Sequence, residues 1–385
     1  MSRLPATGHE RVPDPTVDGF VRAATRLVAR LGAGGQLLVL VAEDDAPDLT
    51  ALVAALAAQA TVPFFGGVFP AVIEGTRQHA RGGLVVWLPA SGAPRVVSGL
   101  DRDTIQIPAM AGRQGGATAL VLVDGLARSL ASFLEALYDR LGNTVAYWGG
   151  GAGSLRSGPR PCVFTEAGVF QDAAIVALVP AAASLGVRHG WTKLVGPLVA
   201  TRTSGNEIQE LNWERALDVY RAAVAADCGR EITEEGFFEV AKGYPFGLQK
   251  QGAEDVVRDP IAVGPAGSLR CVGDVPENAV LSILKGVPEQ LVAAAGAAAA
   301  AARAVGAPSR LSLVADCVSR AIFLEDRFAE ELEAMDAARG DGASQIGMLT
   351  LGEISSQGNG YLELFNKTAV VASVPTDEHV VTGSE

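Results

Sequence analysis

The feature that most constrains how this chain can fold is a plan written three times. An apolar run leads into a loop, a helix-patterned stretch follows, and a second apolar run ends on glycine. The first copy is 37–42, 48–59 and 62–65, closing on Gly66 and Gly67. The second is 119–123, 129–141 and 144–148, closing on Gly149, Gly150 and Gly151. The third is 311–315, 324–338, then Gln345 and Ile346 before Gly347. A further apolar run follows each turn, at 84–88, 174–179 and 369–374. Strand, helix, strand is the common way to bury a parallel pair, so two readings stand: internal duplication, or an ordinary plan used three times.

The copies differ in polar content. Thr350 and Glu353 follow Gly347, whereas the first copy has Phe69 and Val72 at the same offsets. Backbone at a strand-end glycine can approach a ligand closely, which makes Gly347, Thr350, Gly352 and Glu353 candidates for holding a small polar molecule. The competing reading is a turn whose Thr and Glu face water.

A chain of 385 residues exceeds one ordinary core and predicts two domains or a duplicated unit. With 49% hydrophobic and 19% charged residues it can bury a large core. A net charge of -12 argues against nucleic acid or an anionic membrane surface as partner. Cys162, Cys228, Cys271 and Cys317 form no C-x-x-C pair, so neither a disulfide framework nor a structural metal is indicated; reduced thiols fit a cytoplasmic protein. The N-terminus lacks the apolar centre of a signal peptide. The alanine run 291–302 is too short to span a bilayer and reads as a helix packed closely on a sheet.

In chain order, 1–35 holds a mobile leader to about residue 16 and a first helix over 17–31. Residues 95–110 alternate around Asp101, Arg102 and Asp103 as a hairpin would. W-G-G-G-A-G-S at 148–154 imitates a phosphate loop, yet 155–161 holds two prolines and leads to a strand, so no helix N-terminus faces a phosphate. Strands are expected at 187–191 and 198–203, and Asn212 as the cap of a helix to residue 225. So many strands among few helices predict a mixed α+β fold: large, mostly antiparallel sheets with outer helices, αββα layers among the options. A boundary is expected at 227–233, dividing 36–226 from 234–374, with a frayed tail at 375–385.

Arg320 opens the helix after the third leading strand. Parallel strand-helix-strand geometry brings both strand ends and that helix start to one edge, so Arg320, Thr350 and Glu353 are expected to converge. Arg320 then forks onto a ligand carboxylate, or pairs with Glu353. Cys317 reads as a small buried hydrophobe. Glu330, Glu331 and Glu333 with Arg327 read as a solvated helix face.

Several phrases in order resemble the FIST family. They are W-G-G-G-A-G at 148–153, V-R-H-G-W at 187–191, S-G-N-E-I-Q-E-L-N at 204–212, G-Y-P-F-G at 243–247, V-V-R at 256–258, D-C-V-S-R at 316–320, G-M-L-T-L-G-E-I at 347–354 and N-K-T at 366–368. The resemblance places a FIST N-terminal part over 36–226 and a C-terminal part over 234–374. It implies a sensory module of signal transduction for a small ligand. With Thr350 and Glu353 toward an ammonium group and Arg320 toward a carboxylate, the residues read as a site for an amino-acid-like ligand in a non-enzymatic protein. No output domain follows in this sequence, so a separate signalling protein is the implied partner. Some members bind haem and sense nitric oxide, and His189, placed in a strand beside Val187 and Trp191, is the axial-ligand candidate; otherwise it is a structural histidine. A third reading, an αββα-type hydrolase with Thr350 or Cys317 as nucleophile, finds no triad or paired carboxylate to support it. The first copy departs from the family where Phe69, Pro70 and Val72 replace polar residues.

Overall fold

The computed structural model describes residues 7–102, 104–110, 116–250, 254–303, 309–340, 342–357 and 361–375. The three copies fold alike. Leading strands Gly35–Ala42, Ala117–Asp124 and Ser309–Cys317 each pair in parallel with a return strand: Phe64–Phe69, Val145–Ala152 and Ser344–Thr350. On its other side each leading strand pairs antiparallel with a closing strand: Gly83–Pro89, Ala173–Val179 and Ala369–Pro375. An edge strand borders each closing strand: Gly8–Val12, Arg95–Ser98 and Ser184–Arg188.

Each sheet is completed by a hairpin from another copy. Val72–Glu74 with Arg77–His79 leaves the first return strand and joins the third sheet. Val163–Thr165 with Gly168–Phe170 leaves the second and joins the first. Glu353–Gln357 with Tyr361–Phe365 leaves the third and joins the second. The three six-stranded sheets thus share one strand order, and the exchange closes into a ring. Gly66, Gly149 and Gly347 occupy one register, opposite Val39, Val121 and Val314, and a Cβ on any of them would strike that valine's carbonyl oxygen. Internal repetition, rather than a common plan met by chance, accounts for such agreement.

Around the ring the return-strand ends are joined by equivalent backbone hydrogen bonds. Val68 N–H donates to Cys162 O at 2.9 Å, Gly151 to Gly352 at 2.8 Å and Leu349 to Ala71 at 2.9 Å. In the reverse sense Gly153 donates to Val68 at 2.8 Å and Leu351 to Gly151 at 2.9 Å. The third member of that set would start at Pro70, which has no N–H.

Burial explains why the leading strands read as unbroken apolar runs. Leu38, Leu40, Leu120, Leu122, Leu313 and Ala315 face one core common to all three sheets. Their neighbours point outward under helices: Leu37, Val39 and Val41 beneath Val17–Leu31 and Leu49–Gln59, and Val121 and Val123 beneath Leu130–Leu141. In the third copy Val314 faces Pro288–Ala301 and Phe328–Ala338. The alanine helix does pack closely: a Cβ on Gly186 of the third edge strand would meet the Ala298 carbonyl. Between the third edge strand and this helix, 192–285 forms an eight-stranded sheet with the helix Ala216–Cys228. Strands from both sides of 227–233 pair with each other, as Thr192–Val199 does with Val280–Lys285, so the two halves are interlocked.

The fold is mixed α+β with mostly antiparallel sheets and outer helices, and the three sheets of the repeat and the eight-stranded sheet all contribute to one core. Several local expectations need correction. Gly8–Val12 is a paired strand, not a mobile leader, because its residues complete the first sheet. Arg95–Ser98 pairs with the second closing strand, and 104–110 carries no strand, so no hairpin forms there. Ser184–Arg188 ends before His189. Asn212 sits in a left-handed turn with φ 52, and the helix begins at Ala216 behind Arg215. Residues 376–385 and Asp103 lie outside the described residues.

Candidate functional site

Topology brings the predicted triplet to one edge, inside the protein. Arg320, Thr350 and Glu353 each have 0% exposure. Asp316 is the penultimate residue of the leading strand, and Cys317 ends it and caps the short helix Val318–Leu324 that carries Arg320.

On the inner face, Thr350 Oγ1 lies 2.7 Å from Glu353 Oε1 and 3.1 Å from the Asp316 carbonyl oxygen. A hydroxyl has one proton, so both contacts are satisfied when Glu353 is protonated and donates to Thr350, which donates onward to Asp316. Burial pushes the Glu353 carboxyl up to about 8, which supplies that proton at neutral pH. The Thr368 N–H donates to Glu353 Oε2 at 3.2 Å. Burial, then the nearby Glu353, pushes the Cys317 thiol far above its ordinary range, so it is no nucleophile.

On the outer face, Arg320 spends all five N–H groups on the protein. Nε and Nη2 fork onto Glu331 at 2.7 and 2.8 Å, Nη1 donates to the His189 and Lys367 carbonyls, and Nη2 also donates to the Leu291 carbonyl. Asp316 Oδ1 is 3.4 Å from Nε. Arg320 therefore pairs mainly with Glu331, and no donor remains for a ligand carboxylate. Glu331 is not on a solvated face: it has 0% exposure, beside Phe328, Leu332 and Met335 on the buried side of its helix. Burial, then Glu331, holds the Asp316 carboxyl well above the usual carboxylate range.

A second buried pair lies alongside. Lys367 Nζ donates to the Lys242 carbonyl at 2.9 Å, stands over the Trp191 ring at 4.9 Å, and is 3.1 Å from Asp259 Oδ2, within ion-pair distance but not aligned for a hydrogen bond. Lys367 and Asp259 were missed as chemistry. A signal was present, since N-K-T at 366–368 carried part of the resemblance and Asp259 directly follows V-V-R at 256–258.

His189 lies past its strand, partly buried. Its Nδ1 accepts the Trp191 N–H at 2.9 Å, and its Nε2 faces Glu254 Oε2 at 3.9 Å. Burial, then the positive Arg320 and Arg188, lowers its pKa to about 4. One ring nitrogen is engaged, the other meets a carboxylate, and the ring is partly buried rather than set in an open pocket. These residues do not fit a haem. Among the described residues no cluster of His, Cys, Asp and Glu suited to a metal occurs.

The third turn reaches solvent-accessible space at one point. Leu351, between Thr350 and Gly352, lines a cleft of about 860 Å³. Its walls come from the second copy's helix (Leu134, Tyr138), the third copy's hairpin (Tyr361, Leu364), and the eight-stranded sheet with a loop that follows one of its strands (Arg258, Asp274). Gly347 lies against the Val314 carbonyl, and Gly352, at φ 96, sets the bend toward Glu353.

These features define an internally repeated α+β scaffold with a cleft between its parts. Comparison with family models finds the FIST N domain over residues 36–214 and the FIST C domain over 216–356. The chain belongs to the FIST family, whose domains are associated with sensing in signal transduction. Comparison with curated proteins finds no match. Among the described residues no helix is long and apolar enough to cross a membrane.

Proposed function

We propose that this protein binds a small ligand in the cleft above the third turn and that binding is its sensory event. The carrying observation is the origin of the cleft walls. They combine Leu130–Leu141 of the FIST N segment with Leu351 and Arg258 of the FIST C segment, so a ligand that fills the cleft bears on both. Gly347, Thr350, Gly352 and Glu353 contribute by fixing the bend that presents Leu351, and Arg320 by locking the helix start behind it. Ligands that prefer one arrangement of such walls shift its population.

The test is a thermal-shift screen of small polar and amino-acid-like compounds on the wild type and on Ala131→Trp. Ala131 is an exposed residue of the cleft wall, so a tryptophan there fills the space without disturbing the core. Compounds that raise the wild-type melting temperature should lose that effect in the variant. Equal shifts in both proteins would remove the cleft from consideration.

A further inference from the structure

Arg258 is a buried cation with no carboxylate within ion-pair distance among the described residues, although Glu363 and Asp274 stand near enough to favour its charge. It is only 9% exposed, and its bonds are to carbonyls alone: Nε to Asp274 O at 2.9 Å, Nη1 to Val257 O at 3.1 Å and to Leu364 O at 3.2 Å. Among the described residues no Asp or Glu lies within ion-pair distance of it, and its Nη2 makes no hydrogen bond. The side chain lines the cleft. Among the described residues the other deeply buried Lys and Arg each have an acid against them: Arg320 has Glu331 and Lys367 has Asp259. A buried charge is normally paired, and the missing anion at Arg258 belongs on the cleft side.

The rest of the cleft limits what that anion is. Tyr138 and Tyr361 form a stacked pair with centroids 6.0 Å apart, and Leu130, Leu134 and Leu364 add apolar wall. Glu135, Asp139 and Asp274 have no ion-pair partner among the described residues and outnumber the one exposed cation of the wall, Arg128, while Glu363 is paired with Lys250, so the mouth is acidic on balance. Such a mouth repels a phosphate, which carries more than one charge, more than it repels a carboxylate.

We infer that the cleft takes a small organic monocarboxylate with an apolar or aromatic body, its carboxylate on the free Nη2 of Arg258 and its body against Tyr138 and Tyr361. This rests on the cleft reading proposed above. It goes beyond it in naming the charge, the anchoring side chain and the apolar body, and it does not need an ammonium group on the ligand.

Calorimetric titration with phenylacetate, cyclohexanecarboxylate, phenylacetamide, phenyl phosphate and phenylalanine tests it. On the wild type a carboxylate should bind about tenfold or more tighter than its amide, since hydrogen bonds to charged partners are the strong ones. Phenyl phosphate should bind more weakly than phenylacetate, and phenylalanine no more than a few-fold differently from phenylacetate. Arg258→Gln should abolish the acid-over-amide preference, with circular dichroism confirming its fold; the wild-type series stands without it. Equal binding of acid and amide, a preference for the phosphate, or no binding by either acid overturns the inference. If acid and amide bind equally and both are lost in Ala131→Trp, the cleft reading survives and the carboxylate falls. If binding persists in Ala131→Trp, the cleft reading falls with it.

Discussion

The first and third turns occupy one position in the repeat and have opposite chemistry. Register equates Ala42, Phe69 and Val72 of the first copy with Cys317, Thr350 and Glu353 of the third. The first trio is apolar core; the third is a chain of hydrogen bonds around a protonated glutamate. On the outer face Val41 of the first copy stands where the third has Asp316 with Arg320. Backbone geometry is thus common property of the repeat, held by glycines and by strand exchange. Relative to the first copy, polar side chains are what the third adds, and each costs desolvation that the apolar version avoids.

The largest test of that difference is Arg320→Met. It leaves Glu331 and Asp316 buried without their cation and should lower stability by about 3–5 kcal/mol, read by denaturant unfolding. Replacing the group together, with Asp316→Val, Arg320→Met and Glu331→Leu, makes the outer face resemble that of the first copy. It should recover most of the loss. A triple variant as unstable as the single one would mean that the ions hold the third copy in a way its apolar counterpart cannot.

Titration sharpens the contrast. The folded pKa of Glu353, about 8, lies above its ordinary 4.5, so the folded state holds the extra proton between those values. Its contribution is full below 4.5 and is lost as pH rises through about 8. His189 works in the opposite sense. Its folded pKa of about 4 lies below 6.5, so its contribution is present above 6.5 and is lost as pH falls through about 4. Glu353→Gln should therefore stabilise the protein more at pH about 9 than at pH about 5, by about 1.4 kcal/mol for every tenfold difference in proton affinity between the folded and unfolded carboxyl. His189→Gln should flatten only the acid limb. A stability profile unchanged on the alkaline side by Glu353→Gln would mean the carboxyl is ionised in the folded protein.

How much of this could be read beforehand follows from range. Leading strands buried on both faces must be continuous apolar runs, so the three units were visible, and parallel geometry alone brought Arg320, Thr350 and Glu353 together. Strand exchange was not visible, because the pairing of Ile73 with Gly347 depends on tertiary placement and not on either local sequence. Glu331 is a different kind of miss. It stands three residues after Phe328 and four before Met335, on the buried stripe of its helix, and helical period alone would have put it inside. Arg258 entered only inside V-V-R as part of the resemblance, because nothing local in a strand of valines says that its partners are carbonyls.

The smallest expected effect tests the repeat itself. Where Gly153 and Leu351 donate backbone hydrogen bonds across the ring, the first copy has Pro70 and donates none. Pro70→Ala supplies the missing N–H, aimed by the same geometry at the Leu349 carbonyl. The gain is one hydrogen bond of about 0.5–1.5 kcal/mol. Against it stands the entropy the proline removed from the unfolded chain, about 0.4–1 kcal/mol. The two nearly cancel, so the midpoint of unfolding should move little. Amide exchange decides the matter. The amide that Pro70→Ala introduces should be protected to the same degree as those of Gly153 and Leu351. Fast exchange of that new amide would show that the first turn departs from the other two in its backbone as well as in its side chains.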